Sequence, residues 1–106
     1  MATETTAPDR PAFAPAHPGE ILREDVLPAL GLSKAAFAAH LGISRNTLYK
    51  LLNEEQPVTL DLALRLGKAL GNGARFWLAL QAQHDIWEAE AKNSVDVRPL
   101  DWKGVA

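Results

Sequence analysis

Between His17 and Lys92 the chain stops and restarts its helices at short intervals, and that punctuation limits the folds open to it. Ser33 opens a run that closes at Gly42, Ser44 opens one that ends near Asn53, and Thr59 opens one that closes at Gly71. Serine and threonine oxygens accept from the free N–H groups of a first helical turn, and glycine tolerates the left-handed residue that ends one. Upstream, "HPGEILREDVLPALG" reads as a first helix. Pro18 and Gly19 begin it, Glu20 suits its positive end, and Pro28 is expected to end or kink it before Gly31. Downstream, "ARFWLALQAQHDIWEAEAK" gives the longest helix, about 28 Å if fully helical. A chain divided in this way predicts an all-α domain of five helices around one small core.

A length of 106 residues holds one such domain with short tails. Residues 1–16, rich in Pro, Ala and Thr, are expected to form a flexible tail. Residues 17–92 form the domain, and residues 93–106 an extended tail. In that tail "SVDVRPL" alternates apolar and polar side chains, which suits a short edge strand or an extended segment. No run of about 18 apolar residues is present, and the N-terminus has neither the basic start nor the apolar stretch of a secretory signal, so a cytoplasmic protein is expected. The chain has no cysteine, and His17, His40 and His84 fit no metal-ligand spacing, so no metal or other cofactor is expected. No nucleophile elbow or phosphate-binding loop is recognisable. An enzyme, and with it a small-molecule substrate, is therefore not expected.

The fourth helix buries Ala63, Leu66, Gly67 and Leu70 by their spacing, and Gly67 in mid-helix points to a close helix contact. The fifth is apolar on two sides: Phe76, Leu80, Gln83 and Trp87 on one, Leu78, Ala82, Ile86 and Ala89 on the other. Phe76 and Leu80 are expected in the core. Trp77, Ile86 and Trp87 are too many large groups for one small core, so with His84 they are expected to form a dimer contact.

Charge is distributed unevenly. Residues 32–53 contain no acidic side chain, and residues 33–53 carry +3 through Lys34, Arg45 and Lys50, leaving −5 for the rest of a chain of net charge −2. The same stretch meets the demands of a helix-turn-helix. Ala38 is small where two helices would cross, and Gly42 supplies the positive φ of the turn. Phe37, Leu41, Ile43, Leu48 and Leu51 supply the apolar support behind the third helix. The outward face is then Arg45, Asn46, Thr47, Tyr49, Lys50 and Asn53, groups able to bond base edges and phosphates.

On these residues the chain resembles the Cro/C1-type (XRE) helix-turn-helix family, whose domain is the lambda-repressor-like five-helix fold. The segments "HPGEIL", "ALRLGKALG" and "FWLALQAQHDIW" make it similar to the HigA and VapI-like antitoxins within that family. The resemblance covers about Pro18 to Ala89 and implies a homodimer that represses its own promoter at a near-palindromic operator. It also implies binding and neutralisation of a HigB-like toxin, a ribosome-dependent mRNA endonuclease. By position it places Arg45, Asn46, Thr47 and Tyr49 in the major groove. Ser33 and Ser44 would aim helix N-termini at phosphates, with Lys34 and Lys50 adding charge and Asn53 closing the face. Two other readings stand beside this one: a repressor without a toxin, and a toxin-binding module whose DNA binding is weakened. Glu54 and Glu55 support the last, since carboxylates beside a phosphate backbone oppose binding.

Overall fold

The computed structural model describes residues 13–92 and 95–102, which form five helices and no strand. Helix α1 is continuous over 18–30, in the segments Pro18–Ile21, Leu22–Val26 and Leu27–Leu30. His17 caps it, with Nδ1 accepting from the Gly19 N–H at 2.9 Å. Of the two outcomes expected at Pro28, an end or a kink, the helix does not end there, and its regularity breaks just upstream. Proline cannot donate to the carbonyl four residues back and crowds it. The segment Leu22–Val26 is π-helical, the Leu27 N–H reaches Leu22 O, and the widened turn leads the backbone into Pro28. Gly31, at φ 69°, then closes the helix.

Helices α2 (Lys34–Leu41), α3 (Arg45–Leu52), α4 (Leu60–Leu70) and α5 (Ala74–Lys92) follow. Ser33, Ser44 and Thr59 cap α2, α3 and α4, each accepting from the N–H three residues on. All five helices contribute to one core, in which Leu22, Phe37, Leu48, Leu51, Leu66 and Trp77 are almost wholly buried. Helices α4 and α5 form its most extensive contact. Gly67 permits it: a Cβ there would lie 2.4 Å from Ala74 N and Gly73 C, so the start of α5 packs directly on the α4 backbone.

Helix α5 sits out of phase with the predicted stripes. Trp77 and Gln81 are buried, Ala74, Leu78 and His84 half-buried, and Phe76 is 44 % exposed. Trp77, expected at a dimer contact, is only 1 % exposed and lies in its own core, where its indole N–H donates to Asn72 Oδ1 at 2.9 Å. Phe76, expected in the core, instead sits edge-on to Trp77 at the surface. Leu80 packs against the core as expected. Gln81, which no sequence pattern marked, accepts from the Val58 N–H at 2.7 Å and donates to Asp85 at 2.9 Å, pinning the loop after α3 to α5.

Residues 1–12, most of the expected N-terminal tail, lie outside the described residues, as do 93–94 and 103–106. Val95 and Val97 are exposed and belong to no strand. Among the described residues no helix is long and apolar enough to cross a membrane.

Candidate nucleic-acid interface

Helix α3 presents the polar face. Leu48, Leu51 and Leu52 turn it inward, leaving Arg45, Asn46, Tyr49, Lys50 and Asn53 exposed on the opposite side. Thr47 is half-buried, and its hydroxyl is already engaged. Ser44 Oγ accepts from the Thr47 N–H at 3.0 Å and donates to Thr47 Oγ1 at 2.9 Å. Thr47 therefore stiffens the N-terminal cap, while the freer polar groups are its neighbours Arg45 and Asn46. Lys34, in the first turn of α2, lies with Nζ 5.7 Å from the Tyr49 ring centroid, which joins the N-terminal end of α2 to the α3 face.

Three contacts set the angle of α3. The first is the turn before it. The Gly42 N–H donates to Ala39 O and the Ile43 N–H to Ala38 O, both at 3.1 Å, around Gly42 at φ 74°. Phe37, Ala38 and Leu41 are buried behind the turn, and Ile43 is half-buried. The second comes from α4, where Arg65 donates through Nη1 to Leu41 O at 2.8 Å and Gly42 O at 3.3 Å. Asp61, one turn earlier, holds the Arg65 Nε at 2.9 Å. The third comes from α1. Gly19 faces Leu51 so closely that a Cβ on it would lie 1.9 Å from the Leu51 carbonyl oxygen.

Arg23 completes the contact between α1 and α3. Its Nη1 donates to Leu52 O at 2.6 Å and to Glu54 Oε2 at 3.2 Å, while Nε donates to Glu24 Oε2 at 2.9 Å. Hydrogen bonds to Glu24 and then Glu54 raise the guanidinium pKa further, so Arg23 stays charged. Glu54 itself adopts φ 61°, the left-handed residue that closes α3, with its N–H donating to Leu51 O. A residue other than glycine there costs about 1 kcal/mol or more, which the Arg23 pair helps offset. Glu54 is thus tied to a cation, whereas the adjoining Glu55 has no such pair among the described residues. Sequence reasoning found the face itself but missed Gly19, Arg23 and Arg65, whose partners lie 23 to 32 residues away in the chain.

Of the other residues expected at a dimer contact, Ile86 is 56 % exposed and Trp87 half-buried. His84 packs inward on His17, with ring centroids 5.0 Å apart. His40 is exposed on α2, away from that pair.

Two helices joined by a tight left-handed glycine, the second offering a cationic face free of carboxylates, define a helix-turn-helix protein. The family described as "Helix-turn-helix" (HTH_3) matches residues 22–77. Virulence-associated protein I of Dichelobacter nodosus is 40% identical over 82 residues, 76% of each chain. Antitoxin HigA-1 of Vibrio cholerae is 34% identical over 89 residues, 81% of this chain and 84% of that one. Among solved structures, Pseudomonas aeruginosa antitoxin HigA with the higBA promoter is 36% identical, with a TM-score of 0.74 over 81% of this chain and 98% of that one. The chain belongs to the XRE-type helix-turn-helix family, alongside the HigA antitoxins and VapI-like proteins.

Proposed function

We propose that this protein is a sequence-specific DNA-binding repressor of its own promoter and the antitoxin of a HigBA-like pair. The α3 face carries this reading: Arg45, Asn46, Tyr49, Lys50 and Asn53 stand exposed on a helix held by three separate contacts. Arg45 and Asn46, in the first turn of α3, read base edges, for which guanidinium and amide groups suit guanine and adenine. Ser33, Lys34, Ser44 and Lys50 fix the register on phosphates. Thr47 acts mainly through the Ser44 cap. The protein works by binding and has no reaction of its own.

Two copies reading half-sites about one helical turn apart require a dimer. Phe76 and Ile86, left uncovered on α5, support a contact there with Trp87, and Trp77 drops out of it. In the antitoxin role, direct contact blocks an mRNA-cleaving toxin. The test is a fluorescence-anisotropy titration with DNA from upstream of its own gene, at two salt concentrations. Tight binding that exceeds binding to scrambled DNA and weakens steeply with salt supports the repressor. Weak, sequence-blind binding removes it and leaves only the toxin-contact role. The antitoxin half is tested separately, by co-purification with the product of an adjacent short basic reading frame.

A further inference from the structure

Beyond α5, the described residues 95–102 leave four large apolar side chains in water: Val95, Val97, Leu100 and Trp102. Val95 is 75 % and Val97 79 % exposed, so their own chain does not cover them. With the other described residues, 95–102 make no hydrogen bond or ion pair. Exposed apolar residues scattered singly need no account, but here four fall close together.

The order Val95, Asp96, Val97, Arg98, Pro99 is its own complement. In a strand Val95, Val97 and Pro99 share one face, and Asp96 and Arg98 the other. Set antiparallel to a copy of itself about Val97, the segment brings Val97 opposite the partner's Val97. Asp96 then meets the partner's Arg98, and Arg98 the partner's Asp96. Opposite charges directly across such a pair stabilise it, and like charges oppose it. Moving the partner by one residue sets valine against charge. Moving it by two sets Arg98 against Arg98, or Asp96 against Asp96.

Pro99 agrees with the same register. It has no N–H and must stand at a non-hydrogen-bonded position. The two kinds of position alternate along an antiparallel pair, so Val97 is of that kind too. The ladder bonds fall on Asp96 and Arg98, which both keep an N–H.

We propose that residues 95–99 of two copies pair as an antiparallel ribbon centred on Val97, closing the dimer beside the ends of α5. A two-stranded ribbon is marginal alone, so its apolar face needs cover. Ile86, exposed in the C-terminal half of α5, offers it. A strand of another protein need not match Asp96 and Arg98, whereas a second copy matches them by symmetry. The ribbon deepens the dimer named above and rests on it, while the DNA reading does not enter.

The chain has no cysteine, so a single thiol can be placed in it. In the full chain, Val97→Cys sets two thiols across a non-hydrogen-bonded pair, with Cα atoms about 4.5 Å apart, within disulfide reach. Val95→Cys faces Pro99 instead, and its two Cα atoms lie about 14 Å apart. Both are incubated in a glutathione redox buffer, and the linked dimer is measured on non-reducing gels beside sedimentation of wild type. Val97→Cys should link roughly tenfold faster than Val95→Cys, since only the first geometry permits the bond. Asp96→Arg, added to Val97→Cys, opposes like charges at both pairs and should slow linking several-fold. Adding Arg98→Asp as well restores opposite charges and should recover the rate. If Val97→Cys links no faster than Val95→Cys in a protein that sediments as a dimer, the ribbon is overturned and the α5 contact stands. A wild type that sediments as a monomer at the same concentration overturns both. An Asp96→Arg variant that links as fast as its parent, or a double charge swap that recovers nothing, overturns the register.

Discussion

Replacing Gly19 with alanine sets helix propensity against packing, and the two effects have opposite signs. Alanine is favoured over glycine in a helix by up to about 1 kcal/mol, so on an open helix the change would stabilise. Here the new methyl would lie 1.9 Å from Leu51 O and 3.0 Å from Leu51 C. Ordinary contact requires the two backbones to separate by about 1.5 Å. Leu48, Leu51 and Leu52 are at most 2 % exposed, so α3 cannot retreat without opening the core. Overpacking of this kind costs about 1–3 kcal/mol, toward the upper end where the obstacle is backbone. The methyl would also stand 3.2 Å from His17 Nδ1 and disturb the α1 cap. A net loss of about 2 kcal/mol is expected, or a fall of about 10 °C in Tm for a domain of this size. Thermal and urea unfolding followed by circular dichroism measure it. An alanine variant as stable as wild type, or more stable, would refute the close approach of α1 to α3.

Three further outcomes follow from single contacts. Gln81→Leu leaves the buried Val58 N–H without its acceptor, which should cost about 1–3 kcal/mol in urea unfolding. Arg65→Met removes the donor to Leu41 O and Gly42 O, and a loss of about 1 kcal/mol is expected on denaturation, partly restored by Arg65→Lys. The His17 pKa is lowered, first by burial and then by the charge of His84, so the ring is held neutral in the fold. Its contribution is complete above the unfolded-chain value of about 6.5 and is lost as pH falls from there through the folded value. Wild type should therefore lose more stability than His17→Asn between about pH 7 and pH 5, as measured by urea midpoints at each pH.

The short-range features of this fold were legible in the sequence because their partners lie within a few residues. Ser33, Ser44 and Thr59 cap the N–H groups three positions on, and Gly42 and Gly71 adopt the left-handed turn their positions suggested. The exposed face of α3 followed from the same local arithmetic, since Leu48 and Leu51 fix which side turns inward. Helix α5 defeated that arithmetic. Its alanines, leucines and aromatics occupy several sides, so periodicity alone offered more than one phase. The choice of Trp77 and Gln81 for the inside is made by α4, Asn72 and Val58. Pro28 left an end or a kink open, because a proline alone does not say whether a π-turn upstream will carry the helix into it. The tail containing Val95 and Val97 alternates like a strand, yet no strand stands beside it among the described residues. Arg23 offered no sequence signal, and its pairing with Glu54 changes how the acidic exit of α3 should be read.

The central claim is that α3 reads DNA while the N-terminal turn of α2 only grips its backbone, and two alanine variants separate these roles. Binding of wild type, Asn46→Ala and Lys34→Ala to upstream and scrambled DNA should be compared by fluorescence anisotropy across a salt series. Asn46→Ala should lose about 1–3 kcal/mol on upstream DNA and little on scrambled DNA, relaxing specificity. Lys34→Ala should weaken both by a similar factor and reduce the salt slope by about one. If both variants bind both DNAs as wild type does, α3 is not the reading element and the account fails.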